Sequence, residues 1–161
     1  MSTLNLDKLF KPKSVAVIGA SNRPGAVGYL VMRNLLEGGF DGPIMPVNPN
    51  RKAISGVLTY PNVKDLPITP DVAIVCTPPQ TVPGVISDLA ATGGKAAIVL
   101  TAGLSREKDK DGRVLQDVMR DIAQTNQMRI LGPNCLGLLV PGIGLNASFS
   151  HLPAMPGKIA F

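Results

Sequence analysis

Three short segments, Val15–Ile18, Val72–Cys76 and Ala96–Leu100, are apolar at every position rather than at alternate ones. A strand with one face in water alternates apolar and polar residues. A strand apolar throughout must be covered on both faces. Between these segments the spacing changes. Val27, Leu30, Val31 and Leu35 recur at helical intervals until Gly38-Gly39. Val82, Val85, Ile86 and Leu89 do the same until Gly93-Gly94, and Val114, Val118 and Ile122 mark a third helix with a charged opposite face. Ile44–Val47, broken by Pro46 and closed by Asn48-Pro49, and Arg129–Leu131 add two further strands. Leu136–Val140 reads as a sixth, Val57–Tyr60 as a small extra one, and Gly/Pro-rich turns follow residue 140.

Strand and helix in alternation imply parallel pairing. The expected fold is α/β: a Rossmann-like, doubly wound, mostly parallel sheet with helices on both faces. At 161 residues the chain has room for one such domain, expected over residues 1–150. Residues 151–161 then form a linker and the truncated start of a following domain, with Gly157–Phe161 opening a new apolar run. No apolar run is long enough for a membrane helix, and no basic segment followed by an apolar one opens the chain. A cytoplasmic location is expected, without membrane association. The two cysteines, Cys76 and Cys135, make no disulfide framework.

Ligands of open parallel sheets bind beyond the carboxyl ends of the strands. The unusual residues of this chain fall there. The first loop runs Gly19-Ala20-Ser21-Asn22-Arg23-Pro24-Gly25-Ala26-Val27-Gly28. A dinucleotide fingerprint has one residue between its first two glycines; here five separate Gly19 from Gly25. The loop still supplies a tight turn at Gly19, close backbone approach at Gly25 and helix–strand contact at Gly28. The following helix N-terminus favours a phosphate, and Ser21, Asn22 and Arg23 add donors. After the second strand, where an NAD site places an acid, this chain has Asn48-Pro49-Asn50-Arg51-Lys52. Arg51 and Lys52 suit an additional ribose phosphate, as in NADP or coenzyme A.

Charge agrees with an anionic ligand. Residues 1–60 carry seven Lys/Arg and three acids, whereas residues 61–161 carry nine and eight. Aromatic residues are 4% with no Trp, which argues against nucleic-acid binding. The remaining loops lack redox or hydrolytic chemistry. His151 is the only histidine, and no His/Cys cluster has metal-ligand spacing. Cys76 reads as a buried small residue. Cys135 lies at the ligand edge, but a nucleophilic cysteine needs a base, and none is visible. Arg106–Arg113 reads as a solvated approach to the third helix.

Four segments together resemble the CoA-binding domain of NDP-forming acyl-CoA synthetases and of the succinyl-CoA ligase alpha subunit. They are S-V-A-V-I-G-A-S (14–21), P-V-N-P (46–49), L-T-A-G (100–103) and L-G-P-N-C-L-G (131–137). G-L-N-A-S-F-S (144–150) and P-G-K-I-A-F (156–161) look most like bacterial Pat-type protein lysine acetyltransferases, which join a synthetase-like region to a GNAT domain. The resemblance implies coenzyme A or acetyl-CoA as ligand, and adjoining synthetase-like or GNAT domains as partners. It implies CoA contacts from Ser21, Asn22, Arg23 and Pro24, from Arg51 with its neighbour Lys52, from Thr77 and Pro78, from Leu100, Thr101 and Ala102, and from Asn134 near the thiol end. The ligases often carry an acid at the position of Ala102, so any side-chain hydrogen bond there is absent. Their phosphorylated histidine belongs to another domain, and His151 does not match its motif, so the residues hold no complete active site. Three readings stand at this point: a CoA or acyl-CoA module of a ligase or acetyltransferase, an NADP-binding domain, and a docking module with a vestigial cleft.

Overall fold

The computed structural model describes residues 3–157. In chain order the regular elements are α1 (Leu6–Phe10), β1 (Val15–Ile18), α2 (Val27–Glu37), β2 (Ile44–Val47), β3 (Ala53–Ile54), β4 (Val57–Leu58), β5 (Val72–Val75), α3 (Val82–Ala91), β6 (Ala96–Val99), α4 (Leu115–Thr125), β7 (Arg129–Leu131), β8 (Gly137–Val140) and β9 (Leu145–Ser148). Five of the strands form one parallel sheet in the order β2-β1-β5-β6-β7. The chain runs outward from β1 to β2, returns to β5 and continues the other way, so the order reverses between β1 and β5. The doubly wound expectation holds.

Every residue of β1, β5 and β6 is buried. Alternate side chains supply two separate cores. Ala16, Ile18, Ala73, Val75, Ala97 and Val99 meet Val82, Ile86 and Leu89 of α3 and Leu115 and Met119 of α4. On the other face Val15, Val17, Val72, Ile74 and Ile98 meet Val31, Met32 and Leu35 of α2, Leu9 of α1, and Leu145 and Ala147 of β9. Pro46 sits on the edge strand β2, where a missing N–H interrupts no inner ladder. Its carbonyl accepts from the Tyr60 N–H at 3.0 Å, so the segment after β4 covers that edge.

Some elements differ from the sequence expectation. The 136–140 strand is not a sixth member of the sheet. It begins at Gly137 and pairs antiparallel with β9, a strand in the region expected to hold only turns. This hairpin occupies part of the second face, where a helix would otherwise lie. The extra 57–60 strand is shorter, Val57–Leu58, and pairs antiparallel with β3, while Tyr60 bridges to Val47. The third helix starts at Leu115. Its fully buried stripe is Leu115, Met119 and Ala123, one residue on from the expected Val114, Val118 and Ile122. Both stripes are apolar and adjacent, so periodicity does not tell which one centres on the sheet. α1 was not expected: five residues bury only Leu9. Residues 151–157 contain no regular element, and most of the apolar run expected over 157–161 lies outside the described residues.

Candidate functional site

A cleft of about 1080 Å³ opens beyond the carboxyl ends of β1, β2, β5 and β6, over the point where strand order reverses. Gly19, at the end of β1, lines it with φ +86°. A Cβ there would lie 3.0 Å from the carbonyl carbon of Cys76 and from Cγ2 of Thr77, so only glycine fits. Gly28, in the first turn of α2, packs against the Gly19 carbonyl so closely that a Cβ would overlap its oxygen. The helix is thereby held directly above the end of β1. No side chain caps α2 at Ala26, and Ala26, Val27 and Gly28 all line the cleft. An uncapped first turn carries unsatisfied amides and partial positive charge, a natural seat for a phosphate.

Strand ends are stitched together by polar side chains. Asn48 donates from Nδ2 to the Ala20 carbonyl at 2.9 Å and accepts the Asn50 N–H at 2.8 Å. Thr101 donates to the Thr77 carbonyl at 2.7 Å, and its own carbonyl accepts the Asn134 N–H at 3.1 Å. Ser21 accepts the Arg23 N–H at 3.0 Å, folding the loop back on itself. Thr77 differs: its hydroxyl is buried with no partner, in the wall of the cleft.

The sequence-derived site residues separate into two groups. Gly19, Ser21, Arg23, Asn48, Arg51, Thr77, Pro78, Leu100, Thr101, Ala102 and Asn134 come together around this one cleft. Asn22, Pro24, Gly25 and Lys52 are exposed and lie outside its lining. Asn22 bridges instead to the β3–β4 turn, donating to the Ala53 carbonyl at 3.1 Å and accepting the Ser55 N–H at 3.0 Å. Of the seven cations in residues 1–60, only Arg23 and Arg51 line the cleft. Lys8, at the opposite end of the sheet, pairs with Asp71 at 2.7 Å.

Other lining residues were not anticipated. Pro61, Asn62, Val63, Val85 and Asp88 form a mainly apolar side wall, with Asp88 paired to Lys64 at 2.9 Å. Phe149 comes from the far end of the chain. Asn34, buried on α2, donates to the carbonyls on either side of it, Ser148 at 2.9 Å and Ser150 at 2.8 Å. The Arg33 guanidinium donates to the Asn34 Oδ1 and fixes the amide orientation. The alternation Leu145-Asn146-Ala147-Ser148 was the available signal for the strand that carries Phe149 to the cleft.

Neither cysteine is prepared for nucleophilic chemistry. Burial pushes the Cys76 thiol up to about 12. Burial also raises Cys135, against opposing backbone hydrogen bonds involving Gly137 and Cys135 itself. His151 is exposed, and among the described residues no group of three or more His, Cys, Asp or Glu is placed to hold a metal ion. No helix there is long and apolar enough to cross a membrane. The arrangement is complementary in charge and shape to an elongated anion.

Residues 13–141 match the family described as the CoA binding domain. The chain belongs to this family. As a CoA-binding domain its ligand is coenzyme A, and the NADP reading is not favoured. The chain is 37% identical over 161 residues to the alpha subunit of acetate–CoA ligase [ADP-forming] I from Pyrococcus furiosus, covering 98% of this chain and 35% of that one. It is 40% identical over 149 residues to the acetate–CoA ligase [ADP-forming] of Methanocaldococcus jannaschii, covering 92% and 20%. A solved acetyl-coenzyme A synthetase from Ca. Korarchaeum cryptofilum, in complex with phosphate and ADP, superposes with a TM-score of 0.83. It shares 39% identity over 91% of this chain and 31% of its own. The chain thus spans between about a fifth and a third of the length of these relatives.

Proposed function

We propose that this domain holds coenzyme A for an acyl-CoA ligase of the NDP-forming type, presenting its thiol to an activated acyl group. The observation that carries the reading is a single cleft at the strand-order reversal that gathers an uncapped helix N-terminus, two guanidinium groups and the unpartnered Thr77 hydroxyl. In this reading the diphosphate lies against the 19–28 loop and the first turn of α2. Arg51 meets the 3′-phosphate, with Lys52 adding positive charge at the rim. The pantetheine chain crosses Thr77, Pro78 and Leu100–Ala102 toward Asn134. Asn22, Pro24 and Gly25 act through the shape of the loop, which Asn22 pins to the β3–β4 turn.

Among the described residues the cleft gathers no histidine or paired acid and base, and in this reading the chemical step falls to residues elsewhere in a larger ligase. The length of the matched relatives supports such a parent. The reading frame beyond Phe161 tests it: synthetase-like domains fit the proposal, and a GNAT domain would replace it with a regulatory acyl-CoA sensor. We place the protein in the cytoplasm, in keeping with two free thiols.

A thermal-shift series tests the ligand assignment. A ligand at 100 times its Kd stabilises by about 2.7 kcal/mol, which for a domain of this size raises Tm by about 5–10 °C. CoA gives that shift, dephospho-CoA less and NADPH little. Arg51→Ala removes the difference between CoA and dephospho-CoA. Equal losses for both would detach Arg51 from the 3′-phosphate, and a shift with NADPH alone would overturn the assignment.

A further inference from the structure

A second chamber of about 620 Å³ adjoins the cleft beyond β6 and β7, sharing Ala102 and Asn134 with it. On the reading above, these residues stand where the pantetheine thiol ends, so whatever is attached to the thiol points into the chamber. The chamber far exceeds the volume a two-carbon acyl group fills. Its polar lining is made of side chains that can donate: the Ser105 hydroxyl, the Arg106 guanidinium, and the amides of Gln116 and Asn134. None of these four side chains makes a hydrogen bond or ion pair with the described residues. No carboxylate lines the chamber.

The backbone that carries them is fixed. Gly103, with φ +91°, accepts the Arg106 N–H at 2.9 Å, and the Gln116 N–H donates to the Leu104 carbonyl at 3.1 Å. Asn134, at φ +56°, is tied by its N–H to Thr101. Four uncommitted donor groups on a fixed frame, one of them a guanidinium, around a space without acids are complementary to an oxyanion.

We propose that the chamber receives the distal end of the acyl group and that Arg106 selects acyl chains ending in a carboxylate. This rests on the CoA reading of the cleft, and the test separates the two. Calorimetric titration of the chain compares CoA, butyryl-CoA and succinyl-CoA; the last two have equal carbon counts and differ in the terminal carboxylate. Succinyl-CoA is expected to bind about tenfold tighter than butyryl-CoA, at the lower end of what a charge-assisted hydrogen bond supplies. Arg106→Gln is expected to abolish that preference and leave CoA affinity unchanged; Arg106 is exposed, so its replacement leaves the fold intact. Affinities for the two acyl-CoAs within twofold, or a preference that survives Arg106→Gln, would overturn the inference while CoA binding stands. Absence of CoA binding itself would overturn the reading of the cleft, and this inference with it.

Discussion

Replacing three glycines by alanine should give three different results, because each glycine is present for a different reason. Gly28→Ala places a methyl group 2.9 Å from the Gly19 carbonyl carbon, 3.1 Å from the Ala20 Cα and closer still to the Gly19 oxygen. All three are backbone atoms of the loop that floors the cleft, so the strain is relieved only by moving α2 away from β1. Overpacking of this kind costs about 1–3 kcal/mol or more, and the better helix propensity of alanine returns less than 1 kcal/mol. A net loss of about 2 kcal/mol is expected, lowering Tm by roughly 4–8 °C, with weakened CoA binding because the first turn of α2 shifts. Gly25→Ala meets nothing within 4 Å but must hold φ +79°, a cost of about 1–2 kcal/mol. Gly84→Ala, inside α3, also meets nothing within 4 Å and carries no positive φ. It should stabilise by about 0.5–1 kcal/mol. Urea and thermal denaturation of the three variants measure the series. A Gly28→Ala protein melting within 1 °C of the parent, or a Gly84→Ala protein no more stable than Gly25→Ala, would refute the reasoning.

Thr77→Val removes a buried hydroxyl that lacks a partner. It should leave the free domain as stable or about 1 kcal/mol more stable while lowering CoA affinity; unchanged affinity by calorimetry would show that the ligand does not use this group. Asn34→Ala deletes both bonds that hold the carbonyls flanking Phe149. It should cost about 2–3 kcal/mol in urea denaturation, and a loss under 1 kcal/mol would contradict the clamp. Burial pushes the Asp71 carboxyl up, but hydrogen bonds from Lys8 and the Lys13 N–H, with their charges, outweigh it and hold it below its ordinary 3.8. The hydrogen bond to Asp71, then its charge, raises Lys8 above its ordinary 10.5. A depressed carboxyl stabilises the fold above its unfolded value and ceases to do so as pH falls through the folded one. The parent should therefore exceed Asp71→Asn by about 1 kcal/mol near neutrality, and the gap should close below about pH 4. A gap independent of pH would mean that the carboxylate charge is not responsible.

The sheet was legible because its central strands leave no alternative. V-A-V-I, V-A-I-V and A-A-I-V each exclude a wet face, and the glycine pairs after α2 and α3 mark where those helices stop. What escaped depended on distance along the chain. Leu138–Val140 is as apolar as a sheet strand, so composition could not show that its partner is β9 rather than β7. Phe149 is brought to the cleft by partners far away in the chain: Asn34, over a hundred residues earlier, holds the carbonyls on either side of it. Asn22 and Lys52 were read as side chains for the ligand because they are polar and fall in the right loops. The sequence could not show how those loops are held: Asn22 is engaged by the β3–β4 turn, and Lys52 stands exposed immediately before β3, outside the cleft lining.

The most direct test is a crystal structure of the chain grown with millimolar coenzyme A. The account predicts the diphosphate against the backbone amides of the 19–28 loop, the 3′-phosphate beside Arg51 and the thiol near Asn134. An empty cleft in well-ordered crystals, or the nucleotide bound away from that loop, would contradict it.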